Sequence, residues 1–380
     1  KLNVPVLLWG PRDECPDENG MRLRDSQCGL FATGKVLRRF GIPFTYLKNC
    51  SLEDECFAEG IDRFLRVCNV VKAFRNTRVL QISTRPFDFW STMCNEGELL
   101  EKFGIQLSPI PMPELTQAMK DVKENSPEEI KEVTDYCREK MCIKVTPEQL
   151  DNVAALKIAM TRLGKKYGCN CGAIQCWNAL QDEIGIMPCA ANALCNDEGF
   201  PIACETDIHG TITSVLVEAA AMGETRSFFA DWTVRHPYND NAELLQHCGP
   251  WPISIAKEKP TIDTPVAFDC SGSLMAQAKD GEHISLVRFD GDNGEYSLLL
   301  GNAKTVDGPY TKGTYMWVEV ENLDRLEDKL VQGPYIHHCV GVHQDVVLYE
   351  ACKYIGVTPD LYDPIEEKVK AIIRGEKVEK

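Results

Sequence analysis

The sequence predicts an α/β fold: parallel-sheet domains with helices on both faces, followed by a mainly antiparallel β domain at the C-terminal end. Two observations carry this. As far as Met222, short apolar runs alternate with helix-length stretches, the pattern of βα units. Beyond Gly223 the helix-length stretches give way to closely spaced strand-like runs, separated by turn signals such as Asp290-Gly-Asp-Asn-Gly294. With 380 residues, 44% of them hydrophobic, the chain can bury a sizeable core and divide into domains.

The first segment, 1–75, reads as a strand at Val4–Trp9, a polar loop, a helix over Asp25–Phe40, a short strand at Pro43–Leu47 and a helix over Glu59–Phe74. It is half of an α/β domain. A Rossmann-like α/β domain is expected over 76–222. Strands are expected at Val79–Ser83, Ile105–Pro109, Cys171–Cys176 and Ile202–Glu205, and helices over Glu96–Phe103, Pro113–Lys140, Pro147–Lys166 and Gly210–Met222. Thr146-Pro147 supplies a cap followed by proline at the first helical position. The third domain, 223–380, should place strands at Ser227–Trp232, Pro252–Ala256, Pro265–Cys270, His283–Phe289, Glu295–Leu300, Thr314–Val320 and Tyr335–Val342. Its helices should lie near Glu321–Lys329, Gln344–Tyr354 and Pro364–Lys380.

The net charge of −16, without a Lys/Arg cluster, argues against a nucleic-acid surface and against attraction to anionic membranes. No run approaches 18 apolar residues, so no membrane span is expected. Eighteen cysteines are many, but Cys68, Cys94, Cys176, Cys204, Cys270 and Cys339 sit within apolar or chemistry-bearing stretches, not at staple-like loop spacings. They read as reduced thiols of a cytoplasmic protein. The chain starts at Lys1 and enters a strand almost at once, which reads as the loss of something upstream.

Three segments concentrate carboxylates and imidazoles. Ile202-Ala-Cys-Glu-Thr-Asp-Ile-His-Gly210 lies at the carboxyl end of a strand, where open α/β sheets bind ligands, and offers Glu205 and Asp207. Phe228-Phe-Ala-Asp-Trp232 sets Asp231 in an apolar run, where an unpaired acid is costly. Gly333-Pro-Tyr-Ile-His-His-Cys-Val340 carries two adjacent histidines, of which strand alternation turns only one inward. His247 is a more isolated fourth candidate. Each also has a plainer reading: Glu205 and Asp207 as caps of the next helix, Asp231 as a partner of Arg226 or Arg235, one histidine as a satisfied surface group. Together they form the carboxylate-plus-imidazole set preferred by a divalent ion such as Mn²⁺.

The segments Val4-Pro-Val-Leu-Leu-Trp-Gly, Cys28-Gly-Leu-Phe-Ala-Thr, Gly172-Ala-Ile-Gln-Cys-Trp, Asp197-Glu-Gly-Phe-Pro-Ile-Ala-Cys-Glu-Thr-Asp, Phe229-Ala-Asp-Trp and His337-His338 resemble the L-fucose/L-arabinose isomerase superfamily across essentially the whole chain. The resemblance implies Mn²⁺, or another divalent metal, held by Glu205, Asp231 and His338. His247 matches a further ligand of the arabinose isomerases alone. It also implies a homo-oligomer, a hexamer in the family, and an N-terminal domain that this chain enters partway through. The implied activity is aldose–ketose isomerisation of a sugar of the L-fucose/L-arabinose type.

That chemistry takes a proton from C2 and returns one to C1 through an enediol. A chelated metal acts as a Lewis acid, and two adjacent carboxylates serve as base and acid. The resemblance gives Glu205 and Asp231 both roles, ligand and proton shuttle. Gln175 and Trp177, at the end of the preceding strand, suit sugar contact, with ordinary packing as the alternative. Two competing functions remain. One is a zinc or iron–sulfur site on Cys169, Cys171, Cys176, Cys189 and Cys195, although these lack paired Cys-x-x-Cys spacing. The other is a non-catalytic sugar-binding protein of similar α/β architecture, which has no need of two acids and a histidine converging on a metal.

Overall fold

The computed structural model describes residues 4–265, 269–342 and 344–378. A two-stranded parallel sheet, Leu7–Leu8 with Thr45–Tyr46, is joined by the helix Ser26–Arg39. The helix Glu55–Arg75 follows.

The alternation expected in the middle of the chain yields a four-stranded parallel sheet. Its order is Gln106–Ile110, Arg78–Ile82, Cys171–Ile174, Ile202–Ala203. Both faces are buried, as parallel sheets require. Leu80, Ile82, Ile174 and Ile202 pack on one side with the helix Pro147–Tyr167. Val79, Cys171 and Ala173 pack on the other with the helix Ile208–Ala221. That helix is apolar almost all round and buried nearly throughout, because the C-terminal strands cover its remaining side.

The C-terminal strands close on themselves. Phe228–Arg235, Ala242–His247, Thr314–Glu319, Glu295–Val306, His283–Asp292 and His338–Val342 form an antiparallel ring, and the last pairs back with the first. Closure removes the exposed edges of these strands. Thr261–Asp263 and Ser273–Gln277 extend the sheet, and Cys142–Ile143 from the middle of the chain joins it.

Three expectations need correction. The stretch Pro113–Lys140 is two helices, Met112–Asn125 and Pro127–Lys140, because Pro127 disfavours helical backbone at Ser126. Pro252–Ala256 is not a strand but a single tight turn, Ile253–Ile255, following two prolines that donate nothing to a ladder. The strands Ala242–His247, Thr261–Asp263 and Ser273–Gln277 went unforeseen. The strand expected at Pro265–Cys270 lies partly outside the described residues. Among the described residues, no helix is long and apolar enough to cross a membrane.

Candidate active site

Sequence and topology bring the carboxylates and histidines to one place, where the carboxyl ends of the parallel strands meet the barrel. Glu205 and Thr206 follow the strand Ile202–Ala203 and both adopt positive φ, 61° and 54°. For non-glycine residues this costs on the order of 1–3 kcal/mol each and persists only where the surroundings enforce it. Here the Thr206 amide donates to the Ile174 carbonyl at 3.0 Å, its hydroxyl to the Thr84 carbonyl at 3.0 Å, and the Asp207 amide to the Cys204 carbonyl at 3.0 Å. The strained turn aims the Glu205 side chain at the barrel.

From the barrel, Asp231 and His338 sit directly opposite each other on paired strands. His247 ends the next strand round the ring. His338 Nε2 lies 2.9 Å from Glu205 Oε2 and 3.5 Å from Asp231 Oδ1. His247 Nε2 lies 4.0 Å from Glu205 Oε1 and 3.9 Å from Asp231 Oδ1. The Trp177 indole N–H donates to Glu205 Oε1 at 3.2 Å. The Phe229 ring packs edge-on against both imidazoles, 5.2 Å from His247 and 4.9 Å from His338.

Behind His338 stands a buried charge network. Asp207 caps the helix Ile208–Ala221 by accepting from the Gly210 amide at 2.9 Å, so the capping reading of this residue holds. The same carboxylate accepts from His338 Nδ1 at 2.7 Å and pairs through both oxygens with Arg288, whose Nη2 lies 3.0 Å from Oδ1. Arg288 also donates through Nε to Asp290 Oδ2 at 2.9 Å, and Asp290 in turn holds His209 Nδ1 at 2.7 Å. Gly210 permits this closeness: a Cβ there would lie 2.4 Å from Asp207 Oδ2 and 2.6 Å from the Phe229 ring.

The charges explain the titration. Burial opposes ionisation of Asp207, but Arg288 and His338 hold its carboxyl well below the usual range. Burial likewise opposes ionisation of Glu205, and the His338 and His247 imidazoles hold it low. Burial would depress the histidines, yet the surrounding acids push His338 up to about 10 and His247 up to about 9. The site is a concentration of negative charge that calls for a cation.

The atoms that face one another there also lack partners. Glu205 Oε2, Asp231 Oδ1 and His338 Nε2 are buried and make no hydrogen bond. Ligand atoms about 2.0–2.3 Å from a common ion lie roughly 2.8–4.5 Å from each other. The 2.9, 3.5, 3.9 and 4.0 Å separations all fall within that range. The donor set therefore fits a divalent ion, with Asp207 fixing the tautomer and orientation of one imidazole. His337, expected to point away, is exposed, but its ring stacks edge-on at 4.6 Å from His338 and a ring nitrogen lies within 4.8 Å of the Asp231 and His338 ligand atoms. It stands at the rim.

A cavity of about 180 Å³ opens beside these groups, lined by Trp177, Glu205, Asp231, His247, Cys248 and Lys312 among others. A larger cleft of about 580 Å³, beside Lys131 and Arg138, gathers no comparable set of acids and imidazoles. Gln175 does not line the 180 Å³ cavity, and its side-chain oxygen accepts from the Ser83 hydroxyl at 2.7 Å.

Comparison with known proteins adds a second line. The family model described as the fucose/sulfoquinovose isomerase N-terminal domain matches residues 1–75. A sulfoquinovose isomerase of Priestia megaterium is 26% identical over 367 residues, spanning 94% of this chain and 80% of that protein. One from Alkalicoccus urumqiensis is 23% identical over 351 residues, 91% of this chain and 77% of its own length. These matches support a place for the chain beside the fucose/sulfoquinovose isomerases.

Sequence reasoning missed Arg288 and Asp290. Their signal was two charges spaced by two in the apolar strand Leu286-Val-Arg-Phe-Asp290, an arrangement tolerated in a core only when paired.

Proposed function

We propose that this chain is a metal-dependent aldose–ketose isomerase, that Glu205, Asp231, His338 and His247 hold the ion, and that its substrate is a sulfonated hexose of the sulfoquinovose kind. The observation that carries the metal reading is the set of three buried, mutually facing ligand atoms without hydrogen-bond partners. The buried Glu205 carboxylate otherwise costs several kcal/mol in lost hydration. A divalent cation held there supplies Lewis-acid polarisation of the sugar's carbonyl and adjacent hydroxyl.

The chain's own groups do the rest. Glu205 Oε2 faces His338, whereas Oε1 faces Trp177 and the cavity, where it can take or give a proton. Asp231 supplies the second carboxylate, on the opposite wall. One carboxylate removes the C2 proton and a proton returns to C1, so the enediol forms and collapses between two fixed groups. The buried faces of Phe229 and Trp251 exclude water behind the site.

The substrate reading rests on the relatives' activity and on Lys312. This exposed lysine lines the cavity, and among the described residues no carboxylate lies within ion-pair distance of its ammonium group. It is placed to meet an anionic substituent that L-fucose and L-arabinose lack. The test is reconstitution of EDTA-treated protein with Mn²⁺ and assay against sulfoquinovose, L-fucose, L-arabinose and D-arabinose. Metal-restored turnover highest with sulfoquinovose is expected. Undiminished turnover after EDTA would refute the metal reading, and a preference for an uncharged aldose would refute the substrate.

A further inference from the structure

Four cysteines that the isomerase chemistry does not use converge behind the site. Cys176 follows the strand Cys171–Ile174, Cys204 follows Ile202–Ala203, Cys189 opens the helix Cys189–Asp197 and Cys248 follows Ala242–His247. Cys204 lies within hydrogen-bonding reach of the other three thiols. The closest pair is Cys189 and Cys248, with the sulfurs 3.0 Å apart. Two thiolates on a tetrahedral zinc, at about 2.3 Å each, keep an edge of about 3.8 Å, so this pair is too close for that use. It stands about 1 Å from the roughly 2.05 Å of a disulfide.

The backbone is built for the approach. A Cβ on Gly249 would fall 2.5 Å from Cys189 Cβ and 2.9 Å from its carbonyl carbon, so only glycine lets the Cys248–Gly249 segment lie directly against Cys189. Cys189 is fully buried, whereas Cys248 is partly exposed and lines the cavity. Cys248 Sγ also lies 3.6 Å from Nδ1 of its neighbour His247.

We propose that Cys189 and Cys248 form a peroxide-sensitive dithiol whose oxidation to a disulfide switches the isomerase off. Hydrogen peroxide entering the cavity meets Cys248 first. Its sulfur attacks one peroxide oxygen, the O–O bond breaks, and the leaving oxygen departs with the thiol proton as water, giving a sulfenic acid. The Cys189 sulfur then attacks the sulfenic sulfur, the S–O bond breaks, and that oxygen leaves with the Cys189 proton as a second water. The two thiols lose two electrons and the peroxide gains them.

Closing the bond draws Cys248 about 1 Å toward Cys189. His247, the adjacent residue, is displaced from Glu205 and Asp231, and a shift of that size at a reacting constellation costs on the order of 100-fold in rate.

The experiment treats the full chain with hydrogen peroxide, alkylates the remaining thiols and maps linked peptides by mass spectrometry, with turnover followed in parallel. The expected result is a Cys189–Cys248 linked peptide, a loss of turnover on the order of 100-fold, and recovery of both by a phosphine reductant. Cys189→Ala should keep its basal turnover and give a dimedone-reactive Cys248 in place of the linked peptide. The linkage readout is independent of which sugar is the substrate. Cys189 and Cys248 recovered as separately alkylated residues after oxidation would overturn the proposal, as would linked protein that turns over unchanged.

Discussion

Asp207→Asn separates the roles that the structure gives this residue from the minor one its position suggested. Read from sequence, Asp207 was an acid beside Glu205 at the carboxyl end of a strand, with a helix cap as its plainer reading. In the fold its carboxylate is fully buried between Arg288, His338 Nδ1 and the Gly210 amide. Asparagine keeps the volume and can still cap the helix. It cannot accept from both Arg288 and His338, and it removes one of the two charges that balance a buried guanidinium. Removing one partner of a buried ion pair costs about 3–5 kcal/mol. Losing the orienting acceptor of a liganding histidine weakens metal affinity or activity by about 10–100-fold. Urea unfolding at pH 7 and Mn²⁺ titration of the same preparation measure the two effects. A variant within about 1 kcal/mol of the parent stability, with unchanged Mn²⁺ affinity, would refute the argument from Asp207 to His338.

Other outcomes follow from the same geometry. Glu205→Gln should abolish turnover, measured as ketose formation, and weaken Mn²⁺ binding in the same preparation. Lys312→Gln should lower kcat/KM for sulfoquinovose far more than for an unsulfonated aldose under the same assay. Glu243→Gln should stabilise the protein at high pH only. Burial, reinforced by Glu327, pushes the Glu243 carboxyl up to about 7. A raised carboxyl favours the fold below its unfolded value, and that contribution is lost as pH rises through the folded one. The variant should gain roughly 1–2 kcal/mol at pH 8, after allowing for solvent screening, and nothing at pH 4. Denaturant midpoints at the two pH values decide it.

What was legible in the sequence was local. The strand Arg78–Ile82 and the helices Glu96–Phe103 and Pro147–Tyr167 announce themselves by apolar runs, an αL glycine stop and a proline-bearing cap. The candidate ligands stood out because Asp231 and His338 are polar groups in apolar strands, a placement that must be explained by a partner. What escaped was long-range. Nothing local in Thr261–Asp263 marks it as a strand, since one of its two partners, Cys142–Ile143, is far away in the chain. Barrel closure between His338–Val342 and Phe228–Arg235 has the same character. Arg288 was hidden because Asp207, which pairs with it, and His338, which pairs with Asp207, come from separate segments that only the fold joins.

The central claim is that Glu205, Asp231 and His338 hold one divalent ion between the parallel sheet and the barrel. Calorimetric Mn²⁺ titration of the metal-free protein, with elemental analysis of the product, tests it most directly. The account predicts one ion per chain for the parent protein, and loss of that site in each of Glu205→Gln, Asp231→Asn and His338→Ala. Full retention of the ion in all three variants would contradict it.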